Sequence, residues 1–543
     1  MYLNYILNKI NNIIIRNNYK KFNLKIFPKL KSSNKFVMIE FNAFNESHVC
    51  QSLLANFLAK KNNLNIISYF NYCILSAPLK STFIQKIKWK LGEYINYKNH
   101  GIYKSMGSSR IIRPCIKKKN KKKVKKLTRA IYNKLKNKKD ILKIKIDNIL
   151  IGDLLYDTFL KSNQVPTINI TSNKFYYTLE DFVHLYFYWK DFFNENKIHS
   201  IIGVHSVYSY ALPLRIAIKK KIKAYTINSR EICKITNQYK FAGTNFFDYP
   251  KTFKSLNKSV KNNALIDSKK ILEKRVSGKG GISSHLISKI SSFHSQKQKS
   301  LIRKNNKIKV LICTRNVFDA THVYGDLLFT DNNDWFNFLG KLSEKTNYDW
   351  YLKTHINFDG KFKLYQPNSN KIIFKIFDKY KKIKILPNNY SHKQIIDENI
   401  DFVLTQHGSV GFEYPLFGVP VINASYNNPQ VAYNFNFHPK NKISYERLLK
   451  NLKFLKKKNK INKKKILEFY FMRHLYQDRR WLFDDPADMI KKIGGWDNMM
   501  NENFYKYAIL TLNKNKINDL NKAFKNFLNS NYQSITIKDT SKI

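Results

Sequence analysis

Paired cysteines are missing from this chain of 543 residues: Cys50, Cys73, Cys115, Cys233 and Cys313 lie far apart, odd in number and without a CxxC spacing. That excludes a disulfide framework and a structural zinc knuckle, and it fits a reducing compartment. A secretory leader is not visible either. The first 15 residues interleave Asn and Lys with Ile and Leu, without a continuous apolar core or a small-residue cleavage site. Long apolar runs are also lacking. The longest, 201–218, contains His205 and Arg215 and reads as a strand followed by a helix, not as a membrane span. The expected location is cytoplasmic, with peripheral contact to an anionic inner-membrane surface as an option. Acidic residues are scarce: 37 Asp and Glu face 98 Lys and Arg, a formal net charge of +61.

Such a charge attracts phosphate polymers. The enrichment, however, is in Lys, Asn, Ile, Phe and Tyr together, all with A/T-rich codons, so compositional bias is the first explanation and an anionic membrane the second. Lys far exceeds Arg, whereas base-edge and bidentate phosphate recognition favour Arg. The basic run 117–139 carries one aromatic, Tyr132, where a single-strand binder would interleave several. No nucleic-acid partner is expected. Hydrophobic residues at 43%, with 39 Phe and 34 Tyr, supply packed cores. The length calls for two large lobes.

Residues 1–33 place Leu3, Ile6, Ile10, Ile13 and Ile14 near helical spacing. They predict an amphipathic extension packed on the body, with membrane-surface docking as the alternative. Over 34–250, strand-like runs at 36–41, 64–70, 147–151, 201–205 and 223–227 alternate with helical stretches at 46–60, after Gly152, and at 208–219. The Lys- and Asn-dense run 117–139 reads as a solvated helix or excursion. Residues 251–306 are polar, with Ser277, Gly278, Lys279, Gly280 and Gly281 in succession, and read as an interlobe region. A second alternation fills 307–440: strands at 309–313, 349–353, 384–386, 401–405 and 420–424, and helices at 334–345, 391–398 and 409–417. Ser391 and Gln394 have capping-box spacing. Residues 441–543 form a C-terminal helical region whose segment 468–488 is a candidate to cross back to the first lobe, and whose last 20 residues are expected to fray. The alternation implies an α/β fold of two Rossmann-like lobes, with parallel sheets facing across a cleft.

The most informative segment is 401–424. A strand ends at Thr405, the chain turns through Gln406, His407, Gly408 and Ser409, and a helix begins. Gly408 and Gly411 let backbone approach a ligand, the Ser409 hydroxyl can donate, and free N–H groups at a helix start suit an anion. Glu413, four residues on, can accept both hydroxyls of a ribose. The plain alternative is a strand-turn-helix in which Gly408 serves the turn and Ser409 caps the helix.

This segment resembles the donor-binding region of GT-B glycosyltransferases, and more narrowly the capsule and surface-polysaccharide group that includes bacterial Kdo transferases. Lys353, Thr354, His355, Ile356 and Asn357 are similar to that group's lysine-x-histidine-proline element, with Ile356 in place of the usual proline. Further likeness lies in Asn316–His322 read as NVFDATH, in Leu328, Phe329, Thr330, Asp331 and Trp335, and in 151–157 and 205–208. The resemblance implies a nucleotide-sugar donor, CMP-linked in one reading, with His355 and Ser409 facing its phosphate or nucleotide. It implies a glycan or glycolipid acceptor.

Departing phosphate would be stabilised by helix N–H groups, His355 and a basic residue, Lys353 or Arg315. Arg315 pairing with a carboxylate is the structural alternative. Asp153, Asp157 and His205 are the candidates for acceptor base or nucleophile, because each falls at or just past the end of a predicted strand. Asp153 as a helix N-cap and His205 as a core histidine remain open. Asp319, His322, Asp326 and Asp331 match no compact metal loop, and neither metal nor cofactor is expected. Two enzyme readings therefore stand: a glycosyltransferase, and a CDP-polyol phosphotransferase of the teichoic-acid type. A non-catalytic basic binding protein and a silent GT-B scaffold are the alternatives from other classes.

Overall fold

The computed structural model describes residues 2–27, 32–42, 44–71, 83–237, 240–241, 245–277, 292–293, 297–355, 365–458, 461–476, 482–483 and 486–535. The chain divides into two compact units. Unit 1 comprises Met1–Ser162, Asn169–Gly243 and Asp478–Ile543; unit 2 comprises Asn163–Ile168 and Thr244–Gln477. This partition differs from the expected boundaries. The described residues of 251–306 fall in unit 2, and those of the C-terminal region divide between the two units.

Unit 1 is built on a sheet of β1 (Lys35–Phe41), β2 (Asn65–Phe70), β3 (Ser108–Ile112), β6 (Lys197–Gly203), β7 (Lys223–Asn228) and β8 (Glu231–Ile235). Between them β4 (Lys145–Ile146) and β5 (Ile149–Leu150) form a small hairpin. The order is β3-β2-β1-β6-β7-β8, parallel except for β8. The central strands are apolar runs because helices cover both faces of such a sheet. The helices used below are α1 (Tyr2–Ile26), α2 (Asn45–Asn62), α3 (Phe83–Tyr94), α4 (Asn99–Ser105), α5 (Lys121–Tyr132), α6 (Gly152–Asn163), α7 (Asn173–Glu195) and α8 (Leu212–Lys219).

Several local expectations change. The strand expected at 147–151 is the β4–β5 hairpin, turned by Asp147 and Asn148 at φ of 49° and 62°. Two left-handed residues in succession match the twist of a tight hairpin, and Asp and Asn tolerate them. The basic run is not wholly solvated: α5 buries Val124 and Thr128 and packs on α7, while Lys117 and Lys119 pair with Asp191 and Glu195. The tail is tied down as far as residue 535. Lys234 N donates to the Gln533 carbonyl at 2.7 Å and Ile535 N to that of Ile232 at 3.4 Å, which covers the open edge of β8.

Unit 2 carries five parallel strands, β9 (Lys309–Cys313), β10 (Asp349–Lys353), β11 (Ile383–Ile385), β12 (Phe402–Thr405) and β13 (Val421–Asn423), in the order β11-β10-β9-β12-β13. Its relevant helices are α9 (Lys258–Val276), α10 (Asn332–Glu344), α11 (Tyr365–Phe377), α12 (His392–Asp397) and α13 (Val410–Leu416). Leu311, Tyr351, Val403, Tyr414 and Val421 meet in its core. Ser391 caps α12 by accepting from Gln394 N at 3.1 Å. The Gln394 amide binds the Gln298 carbonyl and Glu398 instead of reaching back, so only half of the expected capping box forms.

In both units the second strand lies on one side of the first, and the fourth sheet strand in chain order lies on the other. The sheet therefore reverses its direction of growth between β1 and β6 in unit 1, and between β9 and β12 in unit 2. Outside the carboxyl ends of such a strand pair the two connections leave in opposite directions and open a crevice, the usual ligand position in open α/β sheets. The fold is α/β with Rossmann-like parallel sheets, as expected. Among the described residues no helix is long and apolar enough to cross a membrane.

Candidate functional site

The crevice of unit 2 is a cavity of about 270 Å³ at the carboxyl ends of β9, β10 and β12. Cys313, Thr314 and Arg315 come from β9, Lys353, Thr354 and His355 from β10, and Thr405 through Ser409 from β12. Eight of the nine donor-side residues expected from sequence line it: Arg315, Lys353, His355, Gln406, His407, Gly408, Ser409 and Glu413. The ninth, Gly411, is not on the wall. A side chain there would meet the Gln430 amide at 3.1 Å, and its carbonyl accepts from Asn436, so this glycine serves packing.

Part of the cavity's polarity has no partner among the described residues. Gln406 is 2% exposed, and neither its Oε1 nor its Nε2 has a hydrogen-bond partner among the described residues. Thr314 Oγ1 is in the same condition. Leaving a buried amide unpaired costs on the order of 1–3 kcal/mol, so a partner from outside the chain gains that much by supplying the bonds. Lys353 is buried at the end of β10 and donates to the Asn388 carbonyl at 3.0 Å. Burial lowers its pKa to about 8. A phosphate beside it would raise that value and hold the ammonium form.

Arg315 meets no carboxylate among the described residues; its guanidinium contacts His407 Nε2 and the Asp319 carbonyl. Burial, then the positive charges of Arg315 and His322, hold His407 neutral, well below the usual histidine range. A neutral ring can accept from the guanidinium and fix it. The Tyr324 ring stands edge-on to His407 at 5.3 Å.

The turn itself differs in detail from expectation. α13 has seven residues with Pro415 inside it, so its free N–H groups act singly, without the field of a long helix. Ser409 sits at the N-cap in helical backbone and its side chain makes no cap bond. The exposed hydroxyl is thus not spent on the helix. Gly408 N donates to Thr405 Oγ1 at 3.3 Å, and a Cβ at Gly408 would come within 2.9 Å of that oxygen. Glu413 lines the cavity, but its Oε1 accepts from Arg275 Nε at 2.7 Å and Nη2 at 2.6 Å, with both residues buried. No local pattern marked this pair, because Arg275 lies at the end of α9 in the stretch read as interlobe. His392 was also missed. It lines the cavity with Nδ1 at 2.7 Å from the Tyr414 hydroxyl, and burial with the positive charge of Lys353 keeps it neutral. Only its place next to the Ser391 cap marked it in sequence. Residues 356–364, including Ile356 and Asn357 of the lysine-x-histidine element, lie outside the described residues.

Of the four residues weighed as metal ligands, Asp331 and His322 have side-chain partners within the chain, while Asp319 and Asp326 are seen to accept through backbone carbonyls. Asp331 caps α10, accepting from Asp334 N at 2.9 Å, and also accepts from Thr167. His322 Nε2 lies 3.0 Å from the Thr330 carbonyl. The Asp326 carbonyl accepts from Asn427, and that of Asp319 from Arg315.

Unit 1 has its own crevice at the equivalent point, about 290 Å³, lined by Glu40 and Phe41 of β1, Phe70 and Asn71 at the end of β2, and Val204, His205 and Tyr210 after β6. His205 is exposed here, its ring 5.8 Å from that of Tyr210. Glu40 is buried, and its Oε2 accepts from Val204 N at 3.0 Å. Burial pushes its pKa up to about 7. Gly203 makes room, since a Cβ there would stand 3.2 Å from the Glu40 carboxylate. In sequence Glu40 is one acid inside an apolar strand, and a charge in such a run was the available signal. Asp153 and Asp157 are buried in α6 and do not line this cavity. Both oxygens of Asp153 are held at 2.6 Å by Arg215, which also donates to the Leu150 carbonyl. Asp153 lies in the first turn of α6, one residue past its start, so it is no N-cap. Two residues outside glycine take left-handed backbone in the loops leaving these sheets: Tyr208 after β6 (φ 56°) and Ala320 after β9 (φ 44°). Strain of this kind gathers at functional loops.

No protein-family model matches the chain, and no curated protein matches it in sequence. Among solved structures it is similar to the UDP-GlcNAc 2-epimerase of Neisseria meningitidis bound to UDP-GlcNAc, at 11% identity over 80% of this chain and 97% of that one, TM-score 0.24. It is similar to a glycosyltransferase from Rickettsia africae at 10% identity, over 93% and 100% of the two chains, TM-score 0.23. The wall teichoic acid polymerase TagF matches at 11% identity over 97% and 98%, TM-score 0.22. Likenesses this remote name no substrate and no reaction for this chain.

Proposed function

We propose that the protein is a glycosyltransferase that binds a nucleotide-activated sugar in the crevice of unit 2 and an acceptor hydroxyl in that of unit 1. The observation that carries the donor side is the buried, unpartnered Gln406 amide beside Lys353 and Arg315, two cations that no described carboxylate neutralises. An amide offers a base or ribose both a donor and an acceptor, and the cations suit the phosphate. In the reaction the acceptor oxygen attacks the anomeric carbon and the nucleotide leaves with the bonding electrons. Lys353, Arg315, His355 and the exposed Ser409 hydroxyl stabilise the charge that develops on the leaving phosphate.

On the acceptor side, the aromatic walls Phe41, Phe44, Phe70 and Tyr210 suit the apolar face of a sugar ring. Glu40, poised near neutrality, or His205 takes the proton. Asp153 is assigned to holding Arg215. Capsule or surface-polysaccharide synthesis, with a glycan or glycolipid acceptor, is the biological setting this reading favours. The second reading, transfer of a polyol phosphate from a CDP-linked donor, uses the same cations and differs in which bond breaks.

The test is thermal stabilisation by CMP, CDP, UDP and GDP, repeated with Gln406→Leu, His355→Ala and Ser409→Ala. Stabilisation by one nucleotide that is lost in Gln406→Leu supports donor binding in this crevice. Stabilisation by none, or by all equally and unchanged in the variants, refutes it. Product analysis with the CMP- and CDP-linked donors then separates sugar transfer from phosphate transfer.

A further inference from the structure

Two helices of unit 1 are turned inside out. α3 is held on the body by Trp89, whose ring lies 5.0 Å from Phe70, 5.6 Å from Phe41 and 4.7 Å from His100, and by Glu93, which accepts from Ile111 N. Gly92 is buried on the same side. The opposite side is apolar: Phe83, Ile84, Ile87, Leu91 and Tyr94 recur at helical spacing, and Phe83 and Tyr94 are 77% and 84% exposed. Lys88 and Lys90 border that stripe, both exposed.

α1 repeats the arrangement. Its inner side is Ile15, Tyr19 stacked on Tyr505 at 4.4 Å, Asn23 bonded to Ser105, and Arg16 paired with Glu502. Its outer side shows Ile6, Ile10, Ile13 and Ile14, spaced i, i+4, i+7 and i+8, with Leu24 continuing the row. Lys9, Lys21 and Lys25 are exposed beside it, and the helix contains no acidic residue. Both helices pack on α4, so the two stripes belong to one region of unit 1. The sequence predicted the periodicity of α1 and its packing on the body. It did not predict that the isoleucines would be left outside.

We propose that the outward faces of α1 and α3 are a docking surface for an anionic lipid bilayer. Soluble helices put their apolar face inward, because exposing it forgoes about 25 cal/mol per Å² of burial. Two neighbouring helices that do the reverse are built for an apolar phase. Lysines bordering each stripe, no acid in α1 and a net charge of +61 favour a surface whose headgroups are negative. A protein partner would require an acidic rim around an apolar groove, whereas a bilayer offers both together. If unit 1 takes the acceptor as proposed above, docking would favour a lipid-linked one, since Trp89 packs on Phe41 and Phe70 of the crevice wall. Vesicle binding itself does not depend on that reading.

The experiment is co-sedimentation of the full chain with phosphatidylcholine vesicles, with and without phosphatidylglycerol. Three proteins are compared: wild type, Ile10→Ser with Ile13→Ser and Ile87→Ser with Leu91→Ser combined, and a charge control, Lys122→Gln with Lys125→Gln on α5. Wild type is expected to pellet with the anionic vesicles and far less with the neutral ones. The apolar variant should bind about tenfold more weakly, and the charge control within about twofold of wild type. All four apolar positions face solvent, so an unchanged melting temperature separates lost docking from lost folding. Absence of binding to anionic vesicles overturns the proposal. So does an apolar variant that binds like wild type while the α5 control fails, which would mean diffuse charge attraction. A wild-type dimer in sedimentation equilibrium that the apolar variant turns to monomer would assign the patch to a second copy instead.

Discussion

The two crevices occupy the same point of two sheets whose first five strands share one order, yet their chemistry is opposite. That of unit 2 holds Lys353, Arg315 and an amide without a partner among the described residues. That of unit 1 holds a buried carboxyl, Glu40, among aromatic rings. Strand order places a hole at the carboxyl ends, and the residues that end the strands decide what the hole attracts. Each unit also commits one acid to a buried arginine: Asp153 to Arg215, and Glu413 to Arg275. The comparison thus separates acids spent in buried ion pairs from an acid available to react.

Breaking the buried ion pairs should have the largest effect. Arg275→Ala strands the Glu413 carboxylate and Asp153→Ala strands the Arg215 guanidinium, each costing about 3–5 kcal/mol in urea denaturation. If Asp153→Ala keeps wild-type stability and loses only activity, Asp153 is a reacting group and the separation fails. Lys353→Met should come next, weakening nucleotide binding about 10–100-fold by calorimetry while leaving the unliganded protein no less stable. In the wild type the affinity should fall as pH rises through about 8, where the burial-lowered Lys353 loses its charge.

Glu40→Gln probes the other crevice. Glu40 holds its proton up to about pH 7 when folded and releases it near 4.5 when unfolded. Its contribution is therefore complete below about 4.5 and is lost as pH rises through about 7. The glutamine variant should gain up to roughly 3 kcal/mol over wild type at pH 8 and nothing at pH 4. Its transfer activity should drop in the same range. Equal stability at both pH values would show that the folded carboxyl titrates normally. Ser409→Ala should be the mildest, costing about 1 kcal/mol of nucleotide affinity with no change in melting temperature, because the hydroxyl caps nothing.

Much of unit 2 was legible because its central strands β9 and β12 are nearly continuous apolar runs, and because Gln406 to Ser409 follow a strand end directly. The parts that escaped depend on distance along the chain. Arg275 reaches Glu413 across 138 residues, and Glu40 meets Val204 N across 164. No local spacing records such meetings. The hairpin at Asp147 and Asn148 was missed for a different reason: a two-residue strand has too few positions to show a period.

By itself the sequence determined the alternation of strands and helices, hence parallel sheets, and it determined which turn would carry the polar cluster of unit 2. Both follow from local periodicity and from the backbone needs of Gly, Ser and Asn. Only the tertiary structure decided which charges are spent and which are free, and which side of an amphipathic helix faces out. Pairing and burial depend on neighbours distant in sequence, and α1 shows it: the isoleucines fit either a core or a membrane until Tyr19, Asn23 and Arg16 are seen to hold the other side.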